Sequence, residues 1–185
     1  MNGAAGNLVL VVGPSGAGKD SVIDTARNRL MGDPRFVFAT RVITRPAEAG
    51  GENHEPISSA EFEAREKAGG FLLSWQAHGL SYGIPASLIE ELDRGRVVIA
   101  NVSRTVIEQA RSLFPGRVHV VVVTAPRDVL AERLSMRGRE TPDEILERLA
   151  RTPTFFVGGP GVMELHNDGS LKEAADSFAG FLDQL

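Results

Sequence analysis

The stretch LVLVVGPSGAGKDS, residues 8–21, decides the fold. Leu8 to Val12 form an unbroken apolar run, mostly β-branched, which is the pattern of a short strand covered on both faces. The following residues spell G-x-x-x-x-G-K, and a helix-compatible run begins at Lys19. Strand, glycine loop and helix in that order aim backbone N–H groups and a helix N-terminus at the oxygens of a polyphosphate. Gly13, Pro14, Ser15, Gly16, Ala17 and Gly18 are the expected cradle, and Lys19 is the expected catalytic cation that reaches the terminal phosphates. With Asp20 and Ser21 they make up the expected nucleotide-binding segment.

The last position of the motif departs from the pattern. A hydroxyl that holds magnesium normally follows the lysine, and here the residue is Asp20. A carboxylate is a hard oxygen donor that binds Mg²⁺ directly or through water, so Asp20 is the expected metal residue. Its charge lies close to bound phosphates, which requires the metal or nearby arginines to screen it. Ser21 offers a hydroxyl one place later, turned by about 100° around the helix.

Outward from the loop, apolar runs alternate with helical periodicity, the signature of an α/β domain built on a parallel sheet. Helices are expected over about 19–31, 59–67, 85–94, 105–113 and 126–137, with a last one from about 170. Strands are expected at 8–12, 36–40 and around 96–102, with an extended piece at 71–75 and a connecting polar segment between 41 and 58. The run VHVVVVT, 118–124, is apolar on both faces and reads as a central strand. Thr141 with Glu144 three residues on is the signature of a capping box that restarts a helix after the break at RGRE. VMELHND closes the strand pattern, and neither internal repeats nor a linker divide the chain.

Composition narrows the function classes. The chain has 185 residues, 42% hydrophobic, enough for one domain with a sizeable core. A net charge of −4 provides no overall basic field, so nucleic acid and anionic membranes are not expected partners, and any anion site must be local. The absence of cysteine excludes disulfides, thiolate metal sites and thiol nucleophiles. The N-terminal residues lack a basic segment before LVLVV, which is too short to span a membrane, and a cytoplasmic location is expected.

Further motifs follow in a fixed order: ITR at 43–45, EFE at 61–63, GGFL at 69–72, HGLSYG at 78–83, RLSMRGRE at 133–140, ERL at 147–149 and Asn167-Asp168. With the glycine loop they make the chain resemble the guanylate kinase-like group of nucleoside monophosphate kinases over nearly its whole length. The resemblance implies an α/β P-loop NTPase fold of three layers with a central, mainly parallel sheet. It implies a single domain spanning 1–185, an acceptor-binding region at about 41–84 and a mobile lid at about 137–150, with ATP as donor and Mg²⁺ as cofactor.

Guanylate kinases hold the acceptor's phosphate with arginine and tyrosine, and its guanine with a serine, a glutamate and further polar groups. By that resemblance Arg45 fits the first arginine, Tyr82 fits the tyrosine of the YG pair, and His54 falls where a second tyrosine is expected. The base side differs. Arg41 stands in place of the guanine-contacting serine, Leu73 in place of the glutamate, and Ile84 in place of the small polar residue after YG. A leucine cannot accept the hydrogen bonds that discriminate a purine edge. Keeping phosphate contacts, losing base contacts and adding an arginine suits a small molecule with anionic groups at both ends.

That combination is similar to the ribose 1,5-bisphosphate phosphokinase family of bacterial phosphonate degradation, which shares the KDS loop ending, the TR…A…ENH segment at 44–54 and NDGS at 167–170. The implied reaction is ATP-dependent phosphorylation of ribose 1,5-bisphosphate to 5-phosphoribosyl 1-diphosphate with release of ADP. The acceptor nucleophile is then an ionised phosphate oxygen, so positioning and charge stabilisation suffice. Arg41, Arg45, His54 and Tyr82 are the implied acceptor-binding set; Glu52 and Asn53 either orient sugar hydroxyls or form a surface turn.

Arg133, Arg137, Arg139 and Arg148 match the lid pattern of the group, in which arginines fold over the transferring phosphoryl and the adenine. Arg133 and Arg137 are the implied ATP contacts, Arg137 and Arg148 the implied catalytic arginines, and Gly138 the hinge. Balancing acids at helical spacing make a solvated face the competing reading, which is preferred for Arg127 and Arg151. His119 and Trp75 read as core, and His166 precedes the Asn167-Asp168 turn, which either lies near the adenine pocket, as the group places it, or is purely structural. Asn101 and Ser103 follow a strand end, where the guanylate kinase pattern has carboxylates. No structural metal is expected, and 152–161 has no derived role. Two readings from other classes compete: a guanylate kinase or close relative, against which Leu73 and Arg41 weigh, and a non-catalytic scaffolding module, against which the intact loop and Lys19 weigh.

Overall fold

Leu8–Val12 (β1) is buried at every position, and its alternate side chains feed two different cores. A computed structural model describes residues 5–47, 52–136, 138, 141–151 and 156–185, apart from the side chains of 142, 148 and 151. After β1 come α1 (Lys19–Arg29), β2 (Phe36–Phe38), β3 (Arg41–Ile43), β4 (His54–Pro56), α2 (Ser59–Lys67), β5 (Phe71–Ala77), β6 (Leu80–Pro85) and α3 (Leu88–Asp93). The second half runs β7 (Val97–Asn101), a 3₁₀ turn (Arg104–Val106), α4 (Ile107–Leu113), β8 (Val118–Thr124), α5 (Arg127–Met136), α6 (Pro142–Arg151), β9 (Val162–His166) and α7 (Leu171–Leu182).

Five of these strands form one parallel sheet in the order β2-β7-β1-β8-β9. On one face Val9, Val11, Ile99, Val121 and Val123 pack with Val22 and Ile23 of α1, Leu130 of α5, Ile145 of α6 and Phe178 of α7. On the other, Leu8, Leu10, Val12, Val98 and Val120 pack with Leu92, Ile107 and a second sheet through Leu72, Leu73 and Ile84. Cover on both faces is why the three inner strands, β1, β7 and β8, are almost wholly apolar rather than alternating. The result is the expected three-layer α/β fold around a parallel sheet. The run at 118–124 has parallel neighbours on both sides, with β1 rather than β8 in the middle.

The second sheet, ordered β4-β3-β6-β5, corrects the reading of 41–58 as a plain connection. Strands of three residues carry too little periodicity to be seen in sequence. The β5–β6 hairpin closes through His78 and Gly79, both left-handed at φ 53° and 74°, which matches the twist of the flanking strands. Pro85 ends β6, so the helix expected from 85 begins at Leu88. The strand expected over 36–40 ends at Phe38, although the Ala39 N–H still donates to Ile99 O at 2.8 Å. Thr141 and Glu144 form the expected capping contacts, and Ser58 with Glu61 and Ser170 with Glu173 make two further capping boxes. No described helix is long and apolar enough to cross a membrane.

Candidate active site

The glycine loop is fixed in shape by what presses on it. Gly13, at φ 151°, passes so close to β8 that a Cβ there would lie 2.2 Å from Val123 O. Gly18, at φ 83°, would place a Cβ 2.5 Å from Asn167 Nδ2. That Asn167 is 3% exposed and donates from Nδ2 to Ala17 O at 2.8 Å, while its own N–H donates to Thr124 O at 2.8 Å. The turn after β9 thus braces the loop from beneath. Lys19 Nζ donates to Gly13 O at 2.8 Å and Pro14 O at 3.1 Å, lying across the loop it is expected to serve.

Two adjoining hollows meet at this loop. One, of about 350 Å³, is lined by Gly13, Pro14, Ser15, Lys19, Arg41 and Tyr82 among others, a volume suited to a small ligand. The other is lined by Ser15, Gly16, Gly18, Lys19, Asp20, Ser21, Arg41 and Arg45 among others. Ala17 lines neither; its side chain is wholly buried, so its contribution is backbone.

Arg41 sits where the hollows join. Its Nε donates to Glu52 Oε2 at 2.5 Å, its Nη2 pairs with the same oxygen, and Nη2 lies 3.7 Å from Asp20 Oδ1. Its guanidinium lies 5.6 Å from the Tyr82 ring centroid, and Tyr82 stacks on its cross-strand partner Trp75 at 5.4 Å. Trp75, expected as core, is buried and still lines the hollow. Arg45 Nη2 lies 3.6 Å from Glu52 Oε1.

At the end of β7, Asn101 Nδ2 donates to Asp20 Oδ1 at 2.6 Å. A carboxylate only accepts, so this contact fixes which end of the amide faces Asp20. Asn101 Oδ1, Arg45 Nε and Arg133 Nη1 are buried with no hydrogen-bond partner among the described residues. Orphaned polar atoms in a cleft are costly and are satisfied when a ligand or a rearrangement supplies partners.

His54 differs from its expected use. It is buried, lines neither hollow, and its ring nitrogens lie 3.0 Å from Glu52 O and 3.0 Å from Arg45 O, tying together the two ends of the 45–54 segment. Leu73 and Ile84, expected from the resemblance to stand where guanylate kinases have polar base contacts, are cross-strand partners, 1% and 0% exposed, and are sealed into the core.

On the lid side, Leu149 of α6 lines the first hollow. The backbone N–H of Thr141, with its hydroxyl, holds the Glu144 carboxyl below its usual range and so anchors the start of α6. Arg133 reaches the loop, its Nη1 3.9 Å from the point where a Gly18 Cβ would stand. Arg137 and Arg139 lie outside the described residues, as does the side chain of Arg148. His119 is remote from the loop; its Nε2 lies 3.4 Å from Asn7 Oδ1, its ring meets Phe181 edge-on, and burial pushes its pKa down.

Sequence reasoning missed two residues that line the first hollow, Arg104 and His78. Arg104 stands in the 3₁₀ turn just beyond β7, where ligands of open α/β sheets gather, and that position was the available signal. His78 opens the HGLSYG motif, but its place at the hollow depends on the hairpin.

Comparison with known proteins follows the same lines. The guanylate kinase family model matches residues 5–156. The ribose 1,5-bisphosphate phosphokinase PhnN of Acidiphilium cryptum (strain JF-5) is 56% identical over 178 residues, covering 96% of this chain and 93% of that protein. The enzyme of the same name from Agrobacterium fabrum is 47% identical over 177 residues, covering 96% of each. The chain belongs to the ribose 1,5-bisphosphate phosphokinase family. A solved guanylate kinase from Anaplasma phagocytophilum shares the fold, with a TM-score of 0.69 at 18% identity, covering all of this chain and 88% of that one. Membership of a phosphokinase family implies ATP as donor and, typically, Mg²⁺. The donors present fit such an ion. Asp20, its side chain half exposed, and Ser21 line the second hollow beside Lys19, and one or two protein oxygens are what Mg²⁺ takes when it keeps water and phosphate as its other ligands.

Proposed function

We propose that the chain transfers the γ-phosphoryl group of ATP to the C1 phosphate of ribose 1,5-bisphosphate, giving 5-phosphoribosyl 1-diphosphate and ADP. An oxygen of the acceptor's phosphate forms the new bond to Pγ, and the bond from Pγ to the oxygen bridging Pβ breaks, leaving with ADP. The nucleophile is already ionised near neutral pH, so no side chain has to remove a proton.

The observation that carries the reading is the contrast within one cleft wall. Arg41, on Tyr82, faces the loop at the junction of the hollows, while Leu73 and Ile84 are sealed from it. Phosphate is recognised and a purine edge is not.

The loop amides and Lys19 hold the donor's phosphates, and Asp20 or Ser21 would hold Mg²⁺, which would offset the charge of the donor phosphates during transfer. Arg41, Arg45 and Tyr82 hold the acceptor, with His54 keeping the segment that carries Arg45 in shape. Arg104 is a further candidate for an acceptor phosphate. Arg137 and Arg148 are the lid arginines assigned to the transferring group, and Arg133 to the nucleotide. An ATP-dependent phosphosugar kinase without cysteine fits the cytoplasm.

Product identity tests the reading. Incubation with ATP, Mg²⁺ and ribose 1,5-bisphosphate is expected to give the paired ³¹P resonances of a sugar diphosphate in step with ADP. ADP without a new diphosphate would mean hydrolysis and overturn it.

A further inference from the structure

Glu52 occupies the place an acceptor anion is wanted. Its Oε2 takes both Nε and Nη2 of Arg41, and its Oε1 lies 3.6 Å from Arg45 Nη2. The side chains of Arg41, Glu52 and Arg45 are 12%, 16% and 19% exposed, so the cluster is largely desolvated and little screened by salt. A carboxylate bridging two arginines copies part of what a phosphate offers them. The copy is incomplete: Arg45 Nε stays buried with no partner among the described residues, and a phosphate has a third oxygen to give.

Building on the reading that Arg41 and Arg45 grip the acceptor, we propose that Glu52 is a tethered internal competitor for that site and sets its specificity. It holds the two guanidinium groups in place, and a ligand displaces it effectively only by adding, to one phosphate on these arginines, a second anionic group on the rest of the cationic cleft. A sugar with two phosphates does so, its second phosphate engaging the rest of the cationic cleft. Ribose 5-phosphate, with one, competes poorly. Asp20, 3.7 Å from Arg41 Nη2, remains as counter-charge after Glu52 leaves. Discrimination therefore comes from a built-in repulsive element as well as from attraction to the correct ligand.

The test is Glu52→Gln, which keeps size and an acceptor oxygen but removes the charge. At saturating ATP and Mg²⁺, ribose 5-phosphate is titrated as a competitive inhibitor against ribose 1,5-bisphosphate, so that only the acceptor site is read. The inhibition constant of the monophosphate is expected to fall about tenfold, about 1.4 kcal/mol, with a smaller change in the KM of the bisphosphate. Glu52→Asp, which withdraws the charge by one methylene, is expected to fall between the two and serves if the glutamine variant does not fold. An unchanged inhibition constant overturns the proposal. A rise in both constants overturns it too, and makes Glu52 a direct contact of the sugar. Arg41→Ala tests the underlying reading separately: an unchanged KM for the bisphosphate would remove that arginine from the acceptor site whatever Glu52 does.

Discussion

Asn101 Nδ2 donates to Asp20 Oδ1 at 2.6 Å, fastening the end of β7 to the first turn of α1. The bond orients the one carboxylate that replaces a hydroxyl in the phosphate loop. Asn101→Leu keeps the volume and removes the donor. The Mg²⁺ concentration for half-maximal rate is expected to rise severalfold, while stability falls by only about 1 kcal/mol because Asp20 can turn to water. An unaltered Mg²⁺ requirement would detach Asp20 from the metal.

Asn167, just past the end of β9, braces the loop, and its amide is buried against Ala17 O. Asn167→Ala leaves that carbonyl without its partner. A loss of about 1–3 kcal/mol is expected, roughly 2–4 °C of Tm for each kcal/mol in a chain of this size. The KM for ATP should rise with it, while the KM for the acceptor stays put. A change confined to the acceptor would place the brace elsewhere.

Leu73→Glu introduces the residue that the resemblance to guanylate kinases places at this position, yet it is not expected to create GMP phosphorylation. Position 73 is 1% exposed and faces Ile84 in the core, so the new carboxylate would be buried without a partner. The expected outcome is a large fall in Tm and no activity with GMP. A stable variant that phosphorylates GMP would mean this wall opens when nucleotide binds.

Stability carries a histidine signature. Burial pushes the folded pKa of His119 below 6.5, so between the folded and unfolded values the unfolded chain binds more protons. His119 therefore favours the folded state above the usual histidine range, and that contribution is lost as pH falls through it. The drop in Tm between about pH 7.5 and 5.5 is expected to shrink in His119→Gln. An identical drop would assign the pH response to other groups.

How far the sequence carries depends on the range of the interaction involved. The glycine loop, the parallel strands and the capping box at Thr141 are local signals with a period or a spacing, and they stand in the structure as read. The second sheet was illegible, since β3 and β4 are three residues long and exist only through pairing, β4 with β3 and β3 with β6. Arg41 and Tyr82 were found from motif position, and the structure places them against each other. The contacts of Glu52, the brace from Asn167 and the placing of Arg104 arise from chain segments brought together only on folding. His54 shows the converse limit: its motif position suggested an acceptor ligand, and its geometry is that of a brace between two backbone carbonyls.

The most direct measurement is ADP release with ATP and Mg²⁺ for three acceptors side by side: ribose 1,5-bisphosphate, ribose 5-phosphate and GMP. A kcat/KM for the bisphosphate at least about 100-fold above the other two is expected from a cleft that reads two anionic groups and no base. GMP turned over as well as the bisphosphate would contradict it, and would make Leu73 and Arg41 tolerated changes in a nucleotide kinase.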